Sequence, residues 1–143
     1  MTRVVLDANQ FVSALLKPGS NPARIISLVH NNQITLLLSD DIILEIAGVL
    51  LYPKIMKRHG QSAEYIKSFI KKIRSAAIIT GGKLKVNAVT KDPSDNKYLS
   101  CALEGRADFI ISGDRHLKDL KSYKNIAIVD PGTFLATIKL KGQ

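Results

Sequence analysis

The feature that most constrains this chain is a set of short, unbroken apolar runs set between longer segments of helical periodicity. "RVVLD" (residues 3–7), "TLLLS" (35–39), "DFIIS" (108–112) and "IAIVD" (126–130) each carry consecutive aliphatic or aromatic residues with no polar alternation. Such a run suits a strand buried on both faces. Strands of that kind, separated by helices, predict a parallel sheet covered on both sides. In such sheets the binding site lies beyond the carboxyl ends of the strands.

The segments between the runs carry helix signals. "NPARIISLVHNN" predicts a helix with Asn21 as cap and Pro22 in the first helical position. "FVSALL" reads as a short helix, and "DDIILEIAGVLL" as one that stops before Pro53. "SAEYIKSFIKKIRSAA" is a longer amphipathic helix, followed by a strand at "AIIT" and a Gly-Gly break. "PSDNKYLSCALEG" predicts a helix ending at Gly105, a short helix lies near "HLKDL", and "PGTFLATIK" is the last. No linker or repeat interrupts this order. The 143 residues, 45% of them hydrophobic, are read as one domain over 1–143.

No apolar run approaches the roughly 18 residues of a membrane span, and "MTRVVLDAN" does not read as a signal peptide. A cytoplasmic location is expected. The single Cys101 lies in the apolar run "YLSCAL", which predicts a buried, inert thiol. The 21 Lys+Arg against 12 Asp+Glu give a formal charge of +9 and point to an anionic partner, with RNA the natural one.

Within this basic chain the acids fall in a pattern. "RVVLD" ends at Asp7, "DFIIS" leads through Gly113 to Asp114, and "IAIVD" ends at Asp130. Parallel strands bring such ends to one edge, although "DPG" before a helix makes Asp130 read as a plain N-cap. Glu45 lies three residues after Ile42 and four before Val49, at the edge of its helix's apolar stripe. A carboxylate there either reaches solvent or is paired. In "KDPSDNKY", Asp92 suits a cap, Pro93 the first helical position and Asp95 the first turn.

Four carboxylates in one pocket repel: a pair about 4 Å apart costs roughly 4 kcal/mol at an effective dielectric near 20. A divalent cation relieves this. An oxygen-only donor set without histidine suits Mg²⁺ or Mn²⁺ better than zinc, and such an ion activates water and stabilises charge on a phosphodiester. The basic remainder of the chain would then hold a nucleic-acid backbone, with Lys91, Lys97, Arg115 and Lys118 nearest the acids. His30, His59 and His116 have no zinc-ligand spacing, and no G-x-S-x-G or phosphate-cradling glycine motif occurs. A phosphoaspartyl or receiver-like reading expects a second acid near Asp7, where the chain has Asn9.

Taken together, "VVLDANQFVSALL", "EIAGVL", "DPSDNKYLSCALEGRADFIISGDRHL" and "DPGTFL" resemble PIN-domain ribonucleases, in particular the toxin components of PIN-family toxin–antitoxin modules. The resemblance runs from Arg3 to about Ile138. It implies a PIN-like three-layer α/β fold with a central, mostly parallel sheet and helices on both faces. It also implies Mg²⁺- or Mn²⁺-dependent endoribonuclease activity, frequent homodimers and inhibition by a cognate antitoxin. It carries a catalytic, metal-holding quartet onto Asp7, Glu45, Asp95 and Asp114, and supporting polar positions onto Asn9, Asn96 and Ser112. Ser94 departs from the pattern where relatives often have an acid, and Gln10 stands where they are usually apolar. The rival expectation is a non-catalytic nucleic-acid or protein-binding module on the same fold.

Overall fold

A computed structural model describes residues 1–84, 86 and 93–140. The apolar runs form the strands β1 (Arg3–Leu6), β2 (Thr35–Leu38), β4 (Phe109–Ile111) and β6 (Ile126–Val129), with β3 (Ile78–Ile79) and β5 (Ser122–Tyr123) at the edges. The sheet order is β3-β2-β1-β4-β6-β5, and every pairing is parallel except β5 with β6. Val4, Val5 and Leu6 stand beside Phe109, Ile110 and Ile111 in register. These residues are buried, as unbroken apolar strands between two helical layers should be.

The chain winds outward from β1 through β2 to β3. It then returns to the other side of β1 as β4 and continues to β6. The reversal puts a topological switch point at the carboxyl ends of β1 and β4, where a crevice forms between diverging connections.

The helices are α1 (Ala8–Leu16), α2 (Asn21–His30), α3 (Asp40–Leu50), α4 (Pro53–His59), α5 (Ala63–Ala76), α6 (Asn96–Gly105), α7 (Arg115–Leu120) and α8 (Pro131–Leu140). Helix α1 packs on α2 and α3, α3 on α5, and α2 on α8, while α6 lies across β1, β2 and β4. The fold is thus the expected α/β arrangement with helices on both faces of a mostly parallel sheet. No helix among the described residues is long and apolar enough to cross a membrane.

Three local details, the cap of α2, the helix α4 and the strand β5, differ from the sequence reading. Ser20, not Asn21, caps α2: its Oγ accepts the Ala23 N–H at 3.4 Å, so Pro22 falls one position deeper. Helix α3 stops at Leu50, before Pro53, as expected, and Pro53 does more than mark that stop. It opens α4, where its missing N–H costs no hydrogen bond, and Gly60 closes that helix in the left-handed region at φ 71°. The two-residue strand β5 carried no visible signal. The suggested cap Asp92, together with Lys91, lies outside the described residues; Asp95 sits in a 3-10 turn (Pro93–Asp95) that leads into α6.

Helix α6 does end at Gly105, but Arg106 takes the left-handed capping conformation, at φ 55°. Gly105 serves another purpose. A Cβ there would stand 2.5 Å from Leu37 Cδ1 and 2.9 Å from its Cδ2, and Leu37 is fully buried. Gly105→Ala should therefore lower stability by about 1–3 kcal/mol despite the better helix propensity of alanine. Chemical denaturation of the variant measures this.

Candidate functional site

Asp7 follows β1 and caps α1. Its Oδ1 accepts the Gln10 N–H at 3.2 Å, and its Oδ2 accepts a short hydrogen bond from the Ser112 hydroxyl. Ser112, fully buried at the end of β4, also accepts the Asp114 N–H at 2.8 Å. Asp114 in turn caps α7, its Oδ1 accepting from His116 N at 2.7 Å and Leu117 N at 3.2 Å. One serine hydroxyl thus joins the two acids that the switch point brings together.

Glu45 reaches the same place from the side. It is half-buried on α3, at the margin of the face formed by Ile42, Ile46 and Leu50. Its Oε1 accepts a short hydrogen bond from the Tyr98 hydroxyl, and its Oε2 pairs with Lys97 Nζ at 3.4 Å. Tyr98 is buried, and its hydroxyl also accepts the Ala8 N–H at 3.0 Å. Lys97 Nζ stands 5.5 Å over the Tyr98 ring and donates to the Ser94 carbonyl at 2.9 Å. Asp95 is only 4% exposed.

These residues enclose a cavity of about 140 Å³ lined by Asp7, Asn9, Glu45, Ser94, Asp95, Tyr98, Asp114 and Leu117. All four carboxylates expected from the sequence line it, together with Asn9. Ser112 lies behind Asp7 rather than on the wall. Asn96 is turned away. It lines a neighbouring cavity of about 280 Å³ with Ser39, Ser100, Glu104 and Lys97, and its buried Oδ1 has no hydrogen-bond partner among the described residues. Gln10 is buried beside Asp7 and lends it both its backbone N–H and its side-chain amide, which suits a polar residue at that position.

Asp130 stays outside the cavity. Its Oδ1 accepts the Thr133 N–H at 2.7 Å, and this hydrogen bonding holds its pKa below the usual carboxylate value. It is the plain N-cap of α8. Asp130→Ala should destabilise the fold by about 1 kcal/mol and leave any chemistry of the acidic cavity intact. Melting curves and activity assays of the same variant test the two halves of that statement.

The electrostatics mark Asp7 as under-compensated. Burial pushes the Asp7 pKa up, against the lowering effect of the bonds from Ser112 and Gln10. Burial also raises the Tyr98 phenol, reinforced by its bond to Glu45, so it remains a proton donor. Cys101 is buried, its thiol pushed up to about 11 by desolvation, and Thr80 Oγ1 donates to its sulfur at 3.6 Å. That fits an inert thiol. Lys97 was a candidate phosphate contact, but it is engaged with Glu45; Arg115 is exposed and Lys118 half-buried.

The donor set of the cavity is carboxylate and amide oxygen, without histidine or cysteine, which fits a hard divalent cation. Among the described residues, however, no three acid, histidine or cysteine side chains converge closely enough to hold a metal ion as they stand. Asp7, Glu45 and Asp114 are each tied back to protein donors, and Lys97 supplies a positive charge at Glu45. The carboxylates fit the cation in type and line one cavity, and they would have to draw closer together to coordinate it, with Lys97 standing beside Glu45 as a competing positive charge.

A mostly parallel α/β sheet with an acidic crevice at the β1–β4 switch point defines the class. The sequence profile of the PIN domain matches residues 3–116, and the chain belongs to the PIN-domain family. It is 34% identical over 119 residues to an uncharacterized protein of Methanocaldococcus jannaschii, spanning 83% of this chain and 75% of that protein. Its fold is similar to a chain in the crystal structure of VapBC2 from Rickettsia felis bound to a DNA fragment from their promoter. That match has a TM-score of 0.55 and 17% identity, and covers 89% of this chain and 97% of that one.

Proposed function

We propose that this PIN-domain protein is a metal-dependent endoribonuclease and the toxin of a toxin–antitoxin pair. The observation that carries the reading is the cavity itself: carboxylates from four separate segments of the chain, Asp7, Glu45, Asp95 and Asp114, line one small crevice at the switch point of the sheet. These four would hold Mg²⁺ or Mn²⁺, with Asn9 at the rim and Ser112 behind. A bound divalent cation supplies an acidified water and counter-charge for a phosphodiester.

The protein's own part is positioning. Asp7 and Asp114 are fixed by helix N-termini and by the shared Ser112 hydroxyl, so their carboxylates face the cavity with little freedom left. Outside the crevice the surplus of 21 Lys+Arg over 12 Asp+Glu supplies the attraction for an RNA backbone, with Arg115 and Lys118 on the helix next to Asp114. The likeness to a chain of VapBC2, a complex bound to a fragment of promoter DNA, supports a cognate antitoxin as the partner; a homodimeric working form and a cytoplasmic location belong to the same proposal.

The rival, a binding module that keeps the fold without the chemistry, is favoured by the Lys97–Glu45 pair, which satisfies Glu45 with no metal at all. Cleavage separates the two. Purified protein should cut single-stranded RNA with Mg²⁺ or Mn²⁺, stop in excess chelator, and resume when metal is restored. Cleavage unchanged by chelator, or RNA bound in the presence of metal and never cut, would contradict the proposal.

A further inference from the structure

We infer that Tyr98 is a positioning residue of the acidic cavity, its hydroxyl fixing where Glu45 stands relative to Asp7. The inference rests on reading the cavity as a metal centre. Asp7 and Asp114 are anchored by backbone N–H groups at helix starts, and Asp95 is buried in a turn. Glu45 has no such anchor. It projects from the middle of α3, half-exposed, on a side chain with several rotatable bonds, so its place depends on side-chain partners.

It has two, adjacent in sequence. Lys97 pairs with Oε2, and the Tyr98 hydroxyl donates to Oε1. They differ in what a cation would do to them. An ammonium and a metal ion compete for the same carboxylate charge. A neutral phenol does not: it can donate to a carboxylate that also binds a cation, and such bonds orient metal ligands. The other side of the hydroxyl takes the N–H of Ala8, the residue directly after Asp7. The Tyr98 oxygen is therefore a fixed point tied to the β1–α1 turn, and Glu45 hangs from it.

The same device occurs behind Asp7, where the Ser112 hydroxyl donates to that carboxylate and accepts from the backbone of Asp114. Two buried hydroxyls thus each hold one carboxylate of the cavity, Asp7 or Glu45, against a backbone N–H of another segment. Both hydroxyls act on carboxylates distant in sequence, Ser112 on Asp7 and Tyr98 on Glu45, and Tyr98 does so from within an apolar run.

Calorimetric titration of Mn²⁺ into metal-free protein tests this without reference to catalysis. Tyr98→Phe keeps the buried ring and removes only the oxygen. It should weaken Mn²⁺ binding about 10- to 100-fold. In a Glu45→Gln background the same change should cost little further affinity, because the two residues act as a unit. A Tyr98→Phe protein that melts lower but binds Mn²⁺ like the wild type would reduce Tyr98 to a staple between helices and overturn the inference alone. A wild type that binds no Mn²⁺ would overturn the metal-centre reading and this inference with it.

Discussion

Asp7→Asn should give a protein that is more stable without metal and nearly inactive with it. Burial raises the Asp7 pKa in the folded state above the ordinary 3.8. A group raised in this way contributes its full stability below the unfolded value, and that contribution is lost as pH rises through the folded value. At neutral pH the ionised carboxylate is therefore a cost that the fold carries. Asparagine keeps an oxygen for the Gln10 N–H and has no charge to desolvate. In chelator at neutral pH the variant should therefore be the more stable protein. The metal-free wild type should lose stability between acid and neutral pH relative to the variant. Cleavage should fall on the order of a hundredfold or more, since one of the four carboxylates proposed to hold the cation is gone. Denaturation series from pH 4 to 8 in chelator, with RNA cleavage in Mn²⁺, measure both. Parallel stability curves would mean that Asp7 is compensated by something other than the contacts described.

Lys97→Met should do the reverse. Lys97 is the cation that the fold itself presents to Glu45, at 3.4 Å, with side chains 19% and 32% exposed. Its removal leaves Glu45 facing the other acids without a counter-charge. Because the pair is partly solvated, the loss in chelator should be only about 1 kcal/mol. Metal should then bind about tenfold more tightly or better, since no ammonium has to be displaced, a gain of about 1.4 kcal/mol. The variant should therefore show the larger metal-induced rise in melting temperature, even though it starts lower. Equal metal-induced shifts in the two proteins would show that Lys97 and the cation do not compete.

The sequence carried the architecture because the strands are buried on both faces, so their apolar runs are unbroken and easy to see. What it hid was local. Pro53 reads as a stop but is equally a start, and the competition between these roles is decided by the chain's exit from α3. Ser20 and Asn21 are both good caps one residue apart, and nothing local chooses between them. For the acids, capping and cavity-lining had looked like alternatives. Asp7 and Asp114 do both, because a helix that starts at the edge of a parallel sheet presents its cap residue to the crevice. Asp130 starts a helix too, but next to α2, away from that crevice. Glu45 sits at the margin of its helix face as the spacing indicated. Its neutralisation by Lys97 was not legible, because ion pairs between distant segments leave no trace in periodicity. The expected mutual repulsion of four acids is accordingly relieved at Glu45 from within.

The central claim is that Asp7, Glu45, Asp95 and Asp114 form one divalent-cation centre. It is tested most directly by measuring free Mn²⁺ by electron paramagnetic resonance as metal-free wild type and the four single amide variants (Asp→Asn, Glu→Gln) are titrated. Saturable binding to the wild type, displaced by Mg²⁺ and weakened in every variant, is the result expected. No saturable binding, or four variants that bind as the wild type does, would contradict it.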